Sequence, residues 1–99
     1  MAKILVIGIA GRMGRTIAEC IEDTDGVELG GGTECAGSDL ISQDVGKVIG
    51  IDNKGVSIVD DPTIAFQSCD VAIDFTTPTS SMVTLNAAAK TGKPVVVGT

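Results

Sequence analysis

The stretch KILVIGIAGRMGR, residues 3–15, decides the fold class. Residues 4–7 are a continuous apolar run rich in β-branched side chains, which is typical of a strand buried on both faces of a parallel sheet. Glycines follow at positions 8, 11 and 14, and apolar residues then recur at helical spacing to about Asp23. The stretch therefore predicts a strand, a tight glycine-rich turn and a helix, which is how a Rossmann-like α/β domain begins.

The rest of the chain alternates further strands with helices. Strands are predicted at 27–29, 56–59, 71–75 and 94–97, and helices at 13–23, 61–68 and 77–89. Residues 30–55 are predicted as a loop with a short helical turn near 44–48. Asp61 and Thr77 each precede a proline, the pattern of an N-cap followed by the first helical residue. We expect a Rossmann-like doubly wound parallel sheet, truncated after its fifth strand.

Composition limits the classes of function. The 99 residues are enough for one domain, and a hydrophobic content of 43% with only two aromatic residues predicts a core of Ile, Val, Leu and Ala. The net charge of −6 argues against nucleic acid and anionic membranes as partners. The chain has no histidine, which excludes Ser-His-Asp and Cys-His catalysis and histidine-based zinc sites within it. We expect no metal site and no catalytic residue here.

The three cysteines are widely spaced, and an odd number fits reduced thiols in a cytoplasmic protein. Cys20 and Cys69 are assigned to packing, since free cysteine behaves as a small buried hydrophobe. The apolar run at the start is too short for a signal-peptide core or a membrane span. We therefore expect a cytoplasmic location and no membrane partner.

The glycine-rich turn is a candidate phosphate site. Glycine is needed where the chain turns tightly and where the backbone approaches a pyrophosphate, and the helix N-terminus then offers free N–H groups. Arg12 and Arg15 lie in the first helical turn, where the helix dipole disfavours cations, so an anionic ligand would explain them. The alternative is a plain tight turn whose arginines point into water.

Glu34 is a candidate ribose ligand, because it follows the second strand and lies 20 residues beyond Gly14. An isolated surface carboxylate is the alternative. The three glycines at 30–32 either admit a closely approaching adenosine or mark an irregular edge. Cys35 is uncharged where a 2′-phosphate would lie. Asp74, at the end of a strand, is as suited to capping a turn as to chemistry.

Three segments together resemble the dihydrodipicolinate (4-hydroxy-tetrahydrodipicolinate) reductase family. They are GRMGR at 11–15, DFTTP at 74–78 and VGT at 97–99. The resemblance implies a cytoplasmic, usually tetrameric enzyme of lysine (diaminopimelate) synthesis that reduces a cyclic substrate by hydride transfer from NADH or NADPH. Cys35 stands where the family often has an arginine for the NADPH phosphate, so NADH is the preferred cofactor and NADPH the second candidate.

The resemblance also implies which residues bind the cofactor. The pyrophosphate, the adenosine ribose and the nicotinamide half are assigned in turn to three sets: Gly8, Ile9, Ala10, Gly11, Arg12 and Met13; Glu34; and Phe75, Thr76, Gly98 and Thr99.

The family continues into a second domain that carries a His-His-x-x-Lys motif. We therefore interpret residues 1–99 as a partial dinucleotide-binding domain, with the C-terminal catalytic and tetramerisation domain absent. The chain alone is expected to be inactive, to lack the small-molecule substrate site of its homotetrameric parent, and to self-associate through its last strand. A stand-alone nucleotide-binding or sensing module, and another Rossmann dehydrogenase of the aspartate or homoserine type, are the alternatives.

Overall fold

A parallel sheet of four strands forms the centre of the fold in the computed structural model, which describes residues 1–98. The strands are β1 (Ala2–Ile7), β2 (Val27–Thr33), β3 (Val71–Asp74) and β4 (Val95–Val97). The helices are α1 (Arg12–Glu22), α2 (Val45–Ile49), α3 (Pro62–Ala65), continued by a 3-10 turn at Phe66–Ser68, and α4 (Pro78–Thr91). The strand order β2-β1-β3-β4 confirms the Rossmann-like class.

Helices cover both faces of the sheet, because successive side chains of a buried strand point to opposite sides. On one face Val6 of β1 packs in a cluster with Ala18 and Ile21 of α1. On the other face Leu5 packs in a cluster with Ala87 of α4 and the 3-10 turn. The described core is mainly aliphatic, as the composition predicts, with Phe66 and Cys69 buried among the aliphatic side chains.

The helix starts follow the predicted caps. The Asp61 carboxylate accepts a hydrogen bond from the Thr63 N–H at 2.9 Å. The Thr77 hydroxyl accepts one from the Ser80 N–H at 3.3 Å. In both helices the following proline occupies the start of the first turn, where its missing N–H costs nothing. The predicted helices at 61–68 and 77–89 are therefore confirmed to within a few residues.

Asp44 organises the segment between β2 and α3. Its two carboxylate oxygens accept hydrogen bonds from the backbone N–H groups of residues 46, 47, 54, 55 and 56. Partial burial raises the pKa of this carboxyl, but the N–H donors together lower it more, so the pKa lies below its ordinary value of 3.8. In the segment predicted as a loop with one helical turn, this charged side chain thus joins the start of α2 to residues 54–56, beside backbone hydrogen bonds such as that from the Val45 N–H to the Val56 carbonyl.

The second strand is longer than predicted and runs through three glycines to Thr33. A Cβ added at Gly30 would lie 2.7 Å from the Lys3 Cβ, and one at Gly32 would lie 2.7 Å from the Ile9 Cδ1. The protein's own side chains therefore fill the space that side chains on this strand would need. The prediction of a loop from residue 30 is wrong for residues 30–33, and this packing, rather than a ligand, accounts for the glycines.

Residues 56–59 do not form the predicted strand, so the described sheet has four strands rather than five. Val59 makes a single parallel bridge to β2, while Ser57 pairs in the antiparallel sense with Asp44. The segment divides its hydrogen bonds between two partners and continues neither ladder. Cys69 is buried as predicted, but Cys20 is exposed, because the buried stripe of α1 consists of Gly14, Ala18 and Ile21.

Candidate functional site

The four strands end level with one another along what we call the carboxyl edge. Ile7 of β1 lies opposite Thr33 of β2 on one side and Asp74 of β3 on the other, and Asp74 lies opposite Val97 of β4. From β1 the chain passes to β2 on one side, and then to β3 and β4 on the other. In open α/β sheets a crevice for ligands forms at such a reversal of strand order.

Residues 8–11, which we call the glycine loop, join β1 to α1. The fold itself requires glycine at position 8 in this loop and at position 14 in α1. Gly8 has a positive φ of 69°. A Cβ on Gly14 would lie 2.1 Å from the Gly8 carbonyl oxygen. Gly11 differs, because its φ of −69° and ψ of 165° suit any residue, and a Cβ there would lie 3.3 Å from the same oxygen. Gly11 is therefore less strictly required by the chain's own packing than Gly8 and Gly14.

The N-terminus of α1 opens onto this loop without a side-chain cap and without an acidic residue in its first turn. The first N–H groups of a helix have no partner within it, and they carry partial positive charge. Arg12 and Met13 are exposed here. Arg15, one of the two arginines singled out from the sequence, donates from Nε to the Ala10 carbonyl at 3.2 Å. The arrangement is suited to an anion.

Residues at the end of β2 hold the glycine loop. The Glu34 carboxylate accepts a hydrogen bond from the Ala10 N–H at 2.8 Å through Oε2, which leaves Oε1 for another donor. The Thr33 carbonyl accepts one from the Ile9 N–H at 3.1 Å. Glu34 therefore lies beside the glycine loop. Ile9 contributes a fully buried side chain to the core, so that side chain does not face the site.

Two clefts adjoin at this edge and share the walls formed by Gly8, Glu34 and Thr76. Cys35 also borders both clefts. The first cleft, about 150 Å³, is bounded in addition by Asp60, Ser80, Val83 and Thr84. The second cleft, about 300 Å³, is bounded in addition by Gly11, Arg12, Met13 and Phe75. The sequence pattern did not identify Asp60 or the residues of α4. The rule that ligands bind at strand carboxyl ends points to the first turn of α4, which follows β3 directly.

The remaining candidate residues lie beyond β3 and β4. The Phe75 ring rests on Gly98, where an added Cβ would fall 1.8 Å from the ring. Thr76 is half-buried, and its Cγ2 would lie 2.8 Å from a Cβ on Gly8. The structure thus brings Phe75 and Thr76 next to the glycine loop, while Gly98 lies against Phe75. Thr99 lies outside the described residues.

Within residues 1–98 no group of three or more His, Cys, Asp or Glu side chains could hold a metal ion. In the same part of the chain, no helix is long and apolar enough to cross a membrane.

A parallel, doubly wound sheet with a glycine loop, an uncapped helix N-terminus and an acid after β2 defines the Rossmann-like class of nucleotide-binding domains. Residues 2–99 match the family described as "Dihydrodipicolinate reductase, N-terminus", and the chain belongs to that family. It is 43% identical over 98 residues to the 4-hydroxy-tetrahydrodipicolinate reductase of Citrifermentans bemidjiense and 39% identical over 99 residues to that of Chromohalobacter salexigens. The resemblance noted from the three sequence segments is confirmed.

The chain spans 37% of the length of each of these two relatives, which cover 99% and 100% of it. Solved structures with the same fold are the amine dehydrogenase of Mycobacterium smegmatis, with a TM-score of 0.79 at 24% identity, and the aspartate semialdehyde dehydrogenase of Candida albicans with NADP, with a TM-score of 0.75 at 15% identity. The chain covers 29% of each, which in turn cover 97% and 99% of it. At these identities the likeness concerns the fold alone.

Proposed function

We propose that this chain binds a nicotinamide dinucleotide across its carboxyl edge, as the cofactor-binding part of a 4-hydroxy-tetrahydrodipicolinate reductase. The observation that carries the proposal is Gly11, a glycine that the fold requires less strictly than Gly8 or Gly14, at the uncapped N-terminus of α1 and in one cleft with Glu34. An absent side chain at this point lets a pyrophosphate approach the helix N–H groups. The bound dinucleotide supplies the hydride, and these residues position it.

The two clefts divide the dinucleotide between them. The uncapped α1 N-terminus with Gly8, Gly11, Arg12 and Met13 receives the pyrophosphate, and the backbone of residues 9 and 10 completes that wall. The Glu34 carboxylate accepts hydrogen bonds from the adenosine ribose hydroxyls through Oε1. The nicotinamide half lies along residues that follow β3 and β4, namely Phe75, Thr76, Gly98 and Thr99.

We propose NADH as the preferred cofactor and NADPH as the weaker one. The first cleft is bounded by the carboxylates of Glu34 and Asp60 and by the uncharged Cys35 thiol, and none of its lining residues is a lysine or arginine. A 2′-phosphate placed there would meet like charge, and the cation of the adjoining cleft, Arg12, is assigned to the pyrophosphate. Ribose hydroxyls, in contrast, donate hydrogen bonds to carboxylates.

The reaction itself belongs to the longer protein. Reduction of the cyclic substrate needs a proton donor and a substrate site, which we place outside residues 1–99, in the C-terminal domain that the family resemblance implies. That domain would also form the homotetramer. The free thiols of all three cysteines support the cytoplasmic location, and the charge of −6 supports the absence of nucleic acid as a partner.

Titration of NADH with the chain tests the proposal. The chain contains no tryptophan or tyrosine, so NADH fluorescence can be followed without a protein background. We expect saturable binding that is weaker for NADPH. Glu34→Ala should raise the Kd for NADH by about tenfold, since one hydrogen bond to a charged group is lost. Glu28→Ala, a matched change near the other end of β2, should leave the Kd unchanged.

Absence of saturable NADH binding, or equal losses in the two glutamate variants, would refute the proposal. A reductase assay on the chain alone tests where the proton donor lies. We expect no turnover, while turnover would place the proton donor within these residues.

A further inference from the structure

We propose that Asp74 is a positioning residue that holds the loops after β1, β3 and β4 in register for the dinucleotide. The inference rests on the proposed function, because it assigns Asp74 a role in cofactor affinity without direct contact to the cofactor. Asp74 is the last residue of β3 and is completely buried. Its strand lies between β1 and β4, so its position is central on the carboxyl edge.

The Asp74 carboxylate fixes the loop that follows its own strand. Its Oδ1 accepts hydrogen bonds from both the N–H and the hydroxyl of Thr76, at 2.8 Å and 2.5 Å. These two bonds fix the backbone and the side-chain rotamer of Thr76 together. Because the hydroxyl is held by Asp74, the methyl group is turned onto Gly8, where a Cβ would meet it at 2.8 Å. The carboxylate thereby sets the contact between this loop and the glycine loop.

The backbone of Asp74 reaches the third loop. Its carbonyl accepts a hydrogen bond from the Gly98 N–H at 2.8 Å, and Gly98 lies under the Phe75 ring. One residue therefore connects Gly8, Thr76 and Gly98, which the proposed function assigns to the cofactor wall. Sites of this kind depend on supporting residues, because small displacements of the contact residues reduce affinity.

The second carboxylate oxygen indicates that the residue is not present for stability alone. Asp74 Oδ2 is buried and has no hydrogen-bond partner within residues 1–98. An unpartnered buried polar atom costs stability, so each such case in a native structure calls for an explanation. A β-branched apolar residue would suit this strand position better, but it could not hold Thr76.

NADH titration and thermal melting of Asp74→Ala test the proposal, with Asp70→Ala as the matched control. The Asp70 carboxylate also accepts a backbone N–H bond, from Lys3 at 2.8 Å, and Asp70 directly precedes the opposite end of the same strand. We expect Asp74→Ala to raise the Kd by about tenfold while Asp70→Ala changes it less than about twofold. Asp74→Asn, which keeps an acceptor for Thr76, should bind better than Asp74→Ala. The proposal is overturned if Asp74→Ala lowers NADH affinity by less than about fivefold, or if Asp70→Ala lowers it equally.

Amide NMR of Asp74→Asn tests the positioning role even if Asp74→Ala does not fold or the chain does not bind the cofactor. In Asp74→Asn the charged acceptor of Thr76 becomes a weaker neutral amide oxygen, while the backbone bond to Gly98 stays. If the Asp74 carboxylate holds the loop after β3 against the glycine loop, the signals of Thr76 and Gly8 move together. If only Thr76 moves, the positioning role is overturned. A wild-type chain that does not bind NADH would refute the proposed function, and the NMR result would still decide whether Asp74 holds the loops.

Discussion

Replacing Gly11 by valine separates the fold of the glycine loop from its proposed ligand. The backbone of Gly11 is extended, at φ −69° and ψ 165°, which valine adopts without strain. Its Cβ would lie 3.3 Å from the Gly8 carbonyl oxygen, a contact that a few tenths of an ångström would relieve. Valine is a poorer N-cap than glycine. We expect the free energy of unfolding to fall by only about 1 kcal/mol.

The effect on binding should be larger than the effect on stability. The two methyl groups that Gly11→Val introduces would stand where a pyrophosphate must approach the first N–H groups of α1. Lengthening these contacts removes most of their electrostatic gain, since helix-terminus interactions fall off within one turn. We expect the Kd for NADH to rise at least about tenfold, which corresponds to about 1.4 kcal/mol.

NADH fluorescence titration and thermal melting by circular dichroism give the two quantities. Gly14→Ala is the contrasting variant, because its Cβ would lie 2.1 Å from the Gly8 carbonyl oxygen and must displace the turn. It should lose both stability, by about 2–3 kcal/mol, and NADH affinity. Unchanged NADH affinity in folded Gly11→Val would show that residues 8–11 are a plain turn, and would refute the reasoning.

Three further predictions concern specificity, acid stability and association. Cys35→Arg should raise NADPH affinity about tenfold by pairing with the 2′-phosphate, as competitive titration would show; no change would place that phosphate elsewhere. Asp44 contributes stability above its unfolded pKa of about 4 and loses it as the pH falls through its lower folded pKa. Asp44→Asn should therefore lower the free energy of unfolding by about 2 kcal/mol at pH 7 and by less below pH ~4, as urea unfolding at both pH values would show. An equal decrease at the two pH values would contradict this. Val96, 55% exposed on edge strand β4, should mediate self-association that Val96→Lys abolishes in light scattering; unchanged association would place the contact elsewhere.

Local sequence signals predicted the elements that local chemistry determines. The run at 4–7 forms β1, and the proline-preceded caps at Asp61 and Thr77 start helices. The glycine-rich turn was also predictable, since a positive φ at Gly8 and the close packing at Gly14 are what glycine permits.

Features set by distant residues were not predictable from local pattern. Glycine disfavours strands, so the continuation of β2 to Thr33 depends on side chains from β1 and beyond that fill its surface. The alternation at 56–59 resembles a strand, but its partners are divided between β2 and the segment at Asp44. Cys20 was assigned to packing because free cysteine is usually buried, but the buried face of α1 consists of the small residues Gly14 and Ala18 together with Ile21.

The polar groups at the strand ends act first on the protein and only then on a ligand. The Thr33 carbonyl accepts a hydrogen bond from the Ile9 N–H, and the Glu34 carboxylate accepts one from the Ala10 N–H. The Asp74 carboxylate accepts one from the Thr76 N–H in the loop after β3. Each of these groups holds a loop through a bond that exists without any ligand. Ordering a loop on binding subtracts from affinity, so loops held in advance make more of the contact energy available. Substitutions at Glu34 and Asp74 should therefore weaken binding through loop order as well as through lost contacts.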